Sequence, residues 1–164
     1  MRYPPAETSR QRLVLWIWKR LPFGSTARLF ITWSLNLRYA VGVAAVITNE
    51  RGEVLLLRHT YRRGEYDWGL PGGWVKGRER MERAIARELY EETAWILAID
   101  RLVAVHSGYA LPRLTVLFKG HLAGGTFRPS AEVSEYAFCP PDRLDHILPG
   151  ERQAVRTALD LPSI

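Results

Sequence analysis

The chain predicts an α+β domain, a mixed β-sheet held between helices as an α/β/α sandwich. Three observations predict it. Strand-like apolar segments recur at 39–48, 53–59, 99–107, 113–122 and 133–138. One stretch free of Gly and Pro, 79–93, reads as a helix set between the second and third of them. A short helical pattern at 150–160 closes the order, and strands interrupted by one helix and closed by another give a layered domain. The 164 residues fit one domain with a substantial core. Hydrophobic residues at 47% and charged residues at 24% are ordinary globular usage, which excludes a disordered chain.

Taken in order, residues 9–21 read as a helix, with Ser9 as N-cap and LPFG as its stop. Residues 26–37 fit a helical face and a strand alternation equally well. YAVGVAAVIT reads as a buried strand, NERGE as a turn and EVLLLRH as a second strand, so 39–59 predicts a hairpin. TYRRGEYDWG (60–69) reads as a polar, aromatic loop, and LPGG after it as a further break.

Charge and cysteine content narrow the class. Residues 1–38 carry seven basic side chains (Arg2, Arg10, Arg12, Lys19, Arg20, Arg28, Arg38) against one acid, Glu7. The remaining 16 basic and 16 acidic residues balance, so the net charge of +6 is confined to residues 1–38, and the basic character belongs to an N-terminal extension, residues 1–37, not to the body of the domain at 38–164. With one cysteine, Cys139, no intramolecular disulfide can form, and a reducing, cytoplasmic setting is the simplest expectation. No segment reaches the ~20 apolar residues that span a bilayer, and LVLWIW lacks the cleavage site of a secretory signal.

The segment RELYEET (87–93) sets the functional question. Glu88, Glu91 and Glu92 fall within little more than one helical turn, and like charges so placed repel by roughly 0.2–0.5 kcal/mol per pair. At about 100° per residue with Met81 as origin, Ile85 lies near about 40°, Glu92 about 20°, Glu88 about 340° and Glu91 about 280°. Glu88 and Glu92 therefore share the apolar stripe of Met81 and Ile85, with Glu91 on its shoulder, whereas solvated acids would lie opposite. Inward carboxylates need a cation or strong donors, and clustered carboxylate oxygens suit Mg²⁺ or Mn²⁺. Gly72 and Gly73 permit close backbone approach, and Arg87 is placed to pair with Glu79 or the neighbouring acids and hold them.

GGWVKGRERMERAIARELYEETAW (72–95) resembles the Nudix box: Gly73, Glu79, Arg87, Glu88, Leu89, Glu91 and Glu92 all stand at the family's spacing. The likeness covers about residues 39–160, and two positions depart from it, Ala94 for the family's Gly and Trp95 for its aliphatic residue. Ala94 leads us to expect a slightly altered helix exit. The resemblance implies a Nudix-like fold with the box as loop–helix–loop, and divalent-cation-dependent hydrolysis of a nucleoside diphosphate linked to another moiety: ADP-ribose, a dinucleoside polyphosphate, a nucleotide sugar or a nucleoside triphosphate. It implies Glu88, Glu91 and Glu92 as metal ligands, with the Gly73 carbonyl a further one, and Glu79 and Arg87 as their support. It also implies a glutamate general base, either one of the box or one on a later loop; of Glu132 and Glu135 in PSAEVSEYAF the former lies nearer the loop and is favoured. Two other activities sit on the same fold. A non-catalytic nucleotide sensor is disfavoured by the intact acids, and an isoprenoid diphosphate isomerase by the late position of Cys139.

Candidate substrate contacts are Arg58, Arg62 and Arg63 around the 60–69 loop, Arg113 at the start of a later strand, and Tyr61, Tyr66, Trp68 and Trp74 as stacking surfaces. The extension pairs its basic residues with Trp16, Trp18 and Trp33. Its first reading is a helix packed over the domain or across a homodimer. Its second is peripheral contact with the inner membrane face, and nucleic acid ranks last.

Overall fold

The computed structural model describes residues 39–62, 64–107 and 112–162; the expectations for residues 1–37, and for Arg63, lie outside them. The elements run β1 (Ala40–Ile47), β2 (Val54–His59), β3 (Trp68–Gly69), β4 (Gly72–Trp74), α1 (Met81–Thr93), β5 (Trp95–Ser107), β6 (Arg113–Gly125), β7 (Val133–Cys139) and α2 (Pro149–Ala158). They form a four-stranded mixed sheet, β4-β1-β6-β5, and a three-stranded antiparallel sheet, β3-β2-β7. The one parallel pair is β1 with β6, in register from Ala40↔Arg113 to Ile47↔Gly120.

Side-chain alternation along the strands divides the core in two. Val43, Ala45 and Ile47 of β1 and Leu55 and Leu57 of β2 pack with Ala84, Ile85 and Leu89 of α1. Val46 of β1 and Val54 and Leu56 of β2 pack with Val155 and Ala158 of α2. Strands covered on both faces read as continuous apolar runs, which is why AVGVAAVI and VLLL lack polar alternation. The α/β/α layering expected from the sequence is the observed one.

The predicted hairpin at 39–59 is not formed. β1 and β2 enter different sheets and meet only at the Thr48↔Val54 bridge beside the turn. The turn chemistry was read correctly, since Asn49 Oδ1 accepts from the amides of Arg51 and Glu53. What separates the strands is competition from distant partners, β4 and β6 for β1 and β3 and β7 for β2. The loop at 60–69 and the LPGG break likewise contribute short strands, β3 and β4, because Gly72 and Gly73 face Ala44 and Val43 across an antiparallel ladder.

The helix begins at Met81, two residues after the expected start. Its buried stripe is Ala84, Ile85, Leu89, Glu92 and Thr93, while Met81 is 40% exposed. Helical side chains lean toward the N-terminus, so a first-turn side chain leans off the covered face. At the other end Ala94 adopts the left-handed conformation (φ 61°, ψ 17°) and its amide donates to the Tyr90 carbonyl at 2.8 Å. The altered exit expected from Ala94 is absent, because alanine takes the conformation for which glycine is favoured. That single residue turns the chain straight into β5, which therefore starts at Trp95 and not at 99.

Candidate active site

The carboxylate cleft is built from three pieces: the last turns of α1, the β4 glycines and the loop between β6 and β7. A cavity of about 250 Å³ is lined by Glu88, Glu91, Glu92, Ser130, Ala131 and Glu132. Glu92 is its deepest member, 4% exposed, and its Oε2 is buried without a hydrogen-bond partner. Burial foremost, then the charges of Glu88 and Glu132, push the Glu92 carboxyl up to about 8; the Gly72 backbone and Arg62 oppose that shift.

Glu88 packs over Gly73, where a Cβ would collide with its carboxyl group. A Cβ on Gly72 would run into the Val43 carbonyl. The two glycines therefore let α1 sit directly on the sheet edge with an acid between them.

Arg87 organises the rest. Its Nε and Nη2 donate to Glu79 at 3.1 and 2.6 Å, a two-point guanidinium–carboxylate pair. Its Nη1 reaches Glu88 at 2.7 Å and Glu91 at 3.1 Å, and Nη2 also donates to the Trp74 carbonyl at 3.1 Å. Glu79 turns back to accept from the Lys76 amide at 2.7 Å. The Arg87 and Lys76 bonds hold the Glu79 carboxyl down at about 2. Partial burial would raise Glu91, but hydrogen bonds from Lys76 and Arg87 outweigh it and the carboxyl is lowered. Among the described residues no group of three or more acid, histidine or cysteine side chains is already arranged to hold a metal ion; one oxygen each of Glu88 and Glu91 is turned onto Arg87.

The sequence-predicted residues divide accordingly. Glu88, Glu91, Glu92 and Glu132 meet in the cleft, with Glu79 and Arg87 beside them. Glu135 is elsewhere, bound to Arg58 at 2.9 Å. Arg58 also pairs with Asp67 at 2.9 Å, so it cross-links β2, β7 and the 60–67 segment and is not turned to the cleft. Arg62 pairs with Glu151 of α2 at 2.8 Å and donates to the Trp68 carbonyl at 3.2 Å. Trp68 packs edge-on to His146, on the α2 side of the sheets. Arg113 is exposed at the start of β6, opposite Ala40. Of the aromatic candidates, Tyr61 is 60% exposed, and its hydroxyl lies in the fields of Glu92 and Glu132.

Sequence reasoning missed Ser130, Lys76 and Thr60. Ser130 Oγ accepts from the Glu132 and Val133 amides at 3.3 and 3.1 Å, the side-chain turn that the PSAE string encodes. Thr60 donates from its amide to the Glu132 carbonyl at 2.9 Å and from its hydroxyl to the Ala131 carbonyl at 2.7 Å. That contact joins residues more than 70 apart, and no local pattern announces it.

Comparison with known proteins identifies the family. The family model described as NUDIX domain matches residues 38–159. A MutT-like protein of Streptomyces ambofaciens is 31% identical over 106 residues, 65% of this chain and 67% of that protein. An ADP-ribose pyrophosphatase of Methanocaldococcus jannaschii is 29% identical over 110 residues, 65% of this chain and 64% of that one. The crystal structure of a MutT NUDIX hydrolase from Burkholderia pseudomallei superposes with a TM-score of 0.63 at 26% identity, covering 74% of this chain and 98% of that one. With a family model spanning most of its length and the box residues gathered around one cleft, the chain belongs to the Nudix family of pyrophosphohydrolases.

Proposed function

We propose that the cleft hydrolyses the pyrophosphate bond of a nucleoside diphosphate derivative with Mg²⁺, Mn²⁺ being the alternative cation. The observation that carries the reading is Glu92: a carboxylate with a buried, unpartnered oxygen is costly unless a cation meets it. The donor set fits a hard cation, since Glu88, Glu91 and Glu92 offer carboxylate oxygens and Gly73, lacking a Cβ, brings its backbone against the Glu88 carboxyl group. Glu88, Glu91, Glu92 and the Gly73 carbonyl would hold it. When bound, such an ion screens phosphate charge and lowers the pKa of a coordinated water.

The chain's own groups supply the rest. Arg87 fixes Glu88 and Glu91 through one guanidinium nitrogen while Glu79 fixes Arg87, so the ligand side chains are pre-oriented. Glu132, on the opposite wall of the cleft, takes the proton of the attacking water as its oxygen bonds to phosphorus. The bridging P–O bond breaks, and the leaving phosphate carries away the electron pair. Tyr61, exposed and close enough to Glu92 and Glu132 to feel their charges, would offer a surface for the nucleoside part.

The test is a substrate panel (ADP-ribose, dinucleoside polyphosphates, nucleotide sugars, oxidised and ordinary nucleoside triphosphates, CDP-alcohols) with Mg²⁺ or Mn²⁺. Wild type and Glu92→Gln are compared by phosphate and nucleotide release. Glu92→Gln is expected to lower turnover by about 100-fold or more, which corresponds to about 2.7 kcal/mol of transition-state stabilisation. Equal rates for the two proteins would sink the assignment of Glu92, and a folded wild type that cleaves no member would sink the activity.

A further inference from the structure

The loop between β6 and β7 carries Glu132 to the cleft, and something must hold it there. Its far end is tied by Thr60 to the Ala131 and Glu132 carbonyls. Its near end meets the exit of α1, where the Arg128 amide donates to the Thr93 carbonyl at 2.9 Å. Thr93 is itself fixed, its hydroxyl donating to the Leu89 carbonyl at 2.6 Å and accepting from the Trp95 amide at 3.2 Å.

Around that hydrogen bond three aromatic rings close a triangle. Trp95 lies 5.4 Å from Phe127 with planes at 45°, and 4.8 Å from Tyr136 at 80°. Phe127 lies 4.8 Å from Tyr136 at 55°. These are the tilted and edge-on arrangements aromatic pairs prefer. Each ring comes from a different segment: Trp95 from the helix exit, Phe127 from the start of the loop, and Tyr136 from β7 beyond the loop. The triangle thus clasps the base of the loop from both sides and fastens it to the box helix. Trp95 is 7% exposed, and an aliphatic residue there would fill the core but offer no ring for the other two.

We propose that Trp95 is a positioning residue, whose indole, gripping Phe127 and Tyr136, sets the placement of the Glu132 loop relative to the acids of α1. The proposal rests on the cleft being the hydrolytic site, with Glu132 as its base.

The experiment uses the full chain and the variants Trp95→Leu, Trp95→Phe, Phe127→Leu, Glu132→Gln and Trp95→Leu/Glu132→Gln. Amide hydrogen exchange is followed by mass spectrometry without ligand. In Trp95→Leu and Phe127→Leu, exchange over residues 126–132 is expected to rise about tenfold or more, while β1 and α1 stay within about twofold of wild type. Trp95→Phe, which keeps a ring, restores most of the protection. Unchanged exchange over 126–132 in Trp95→Leu overturns the proposal whatever the activity, as does a uniform rise across β1 and α1, which marks a core role only.

On the panel substrate cleaved fastest, Trp95→Leu is expected to lower kcat about tenfold with KM within about twofold, and to cost nothing further in the Glu132→Gln background. Equal loss in both backgrounds overturns action through Glu132. Wild-type turnover in Glu132→Gln alone instead refutes the base assignment, and loop exchange then still decides whether Trp95 places the loop.

Discussion

Arg87 shows how one residue's chemistry orders a site. A planar guanidinium can bind Glu79 through two nitrogens and still present a third to Glu88 and Glu91. A lysine ammonium at the same place is a point charge and cannot span those partners. Arg87→Lys is therefore expected to keep the fold and lose roughly 10–100-fold in panel turnover, the usual scale for groups that orient ligands. A turnover within about twofold of wild type would remove Arg87 from that role. Glu92 is the opposite case, a carboxyl group with one oxygen left without a partner inside the protein. Its neighbours Glu88 and Glu132 raise its proton affinity further beyond the effect of burial, so the same three carboxylates that repel one another define where positive charge is wanted.

At the scale of elements, α1 is held at its second half and at its exit by backbone geometry. Beside its second half the glycine pair of β4 lets Glu88 press on the sheet edge. At its end Ala94 turns the chain in the left-handed region, with φ 61°. For a residue with a Cβ that conformation costs about 1–2 kcal/mol, while glycine would return about half of the gain through a more flexible unfolded chain. Ala94→Gly is expected to stabilise the domain by about 0.5–1 kcal/mol, raising the melting midpoint by about 1–4 °C. A lower midpoint would show that the exit is relaxed with alanine in place. The exit matters beyond stability, because Thr93 and Trp95, on either side of Ala94, are the points to which the Glu132 loop is fastened.

At the scale of the whole molecule, the two core clusters meet the sheets from opposite sides, and His59 lies buried at the end of β2 with neither ring nitrogen in a well-formed hydrogen bond. Burial foremost, with the Arg62 charge, lowers its pKa from 6.5 to about 4 against a weak opposing contact with the Leu70 backbone. A group whose folded pKa is depressed contributes stability above its unfolded pKa and loses it as pH falls through the folded value, here from 6.5 down to about 4. Between pH 7.5 and 5 the wild type is expected to lose about 2 kcal/mol more than His59→Leu, as read by urea melts at both pH values. Equal losses would show that His59 is protonated without penalty. The sequence by itself determined the layered α+β class, the helix at the box and the inward turn of Glu92, because these follow from periodicity and from spacing within one element. It also carried the family likeness, since Gly73, Glu79, Arg87, Glu88, Glu91 and Glu92 lie within 20 consecutive positions. Tertiary structure alone decided that β1 and β2 part into separate sheets, that Arg58 and Arg62 bind Glu135 and Glu151, and that Thr60 and Trp95 grip the loop of Glu132. Each of those outcomes is a competition between partners far apart in the chain, and local sequence holds no record of which distant partner wins.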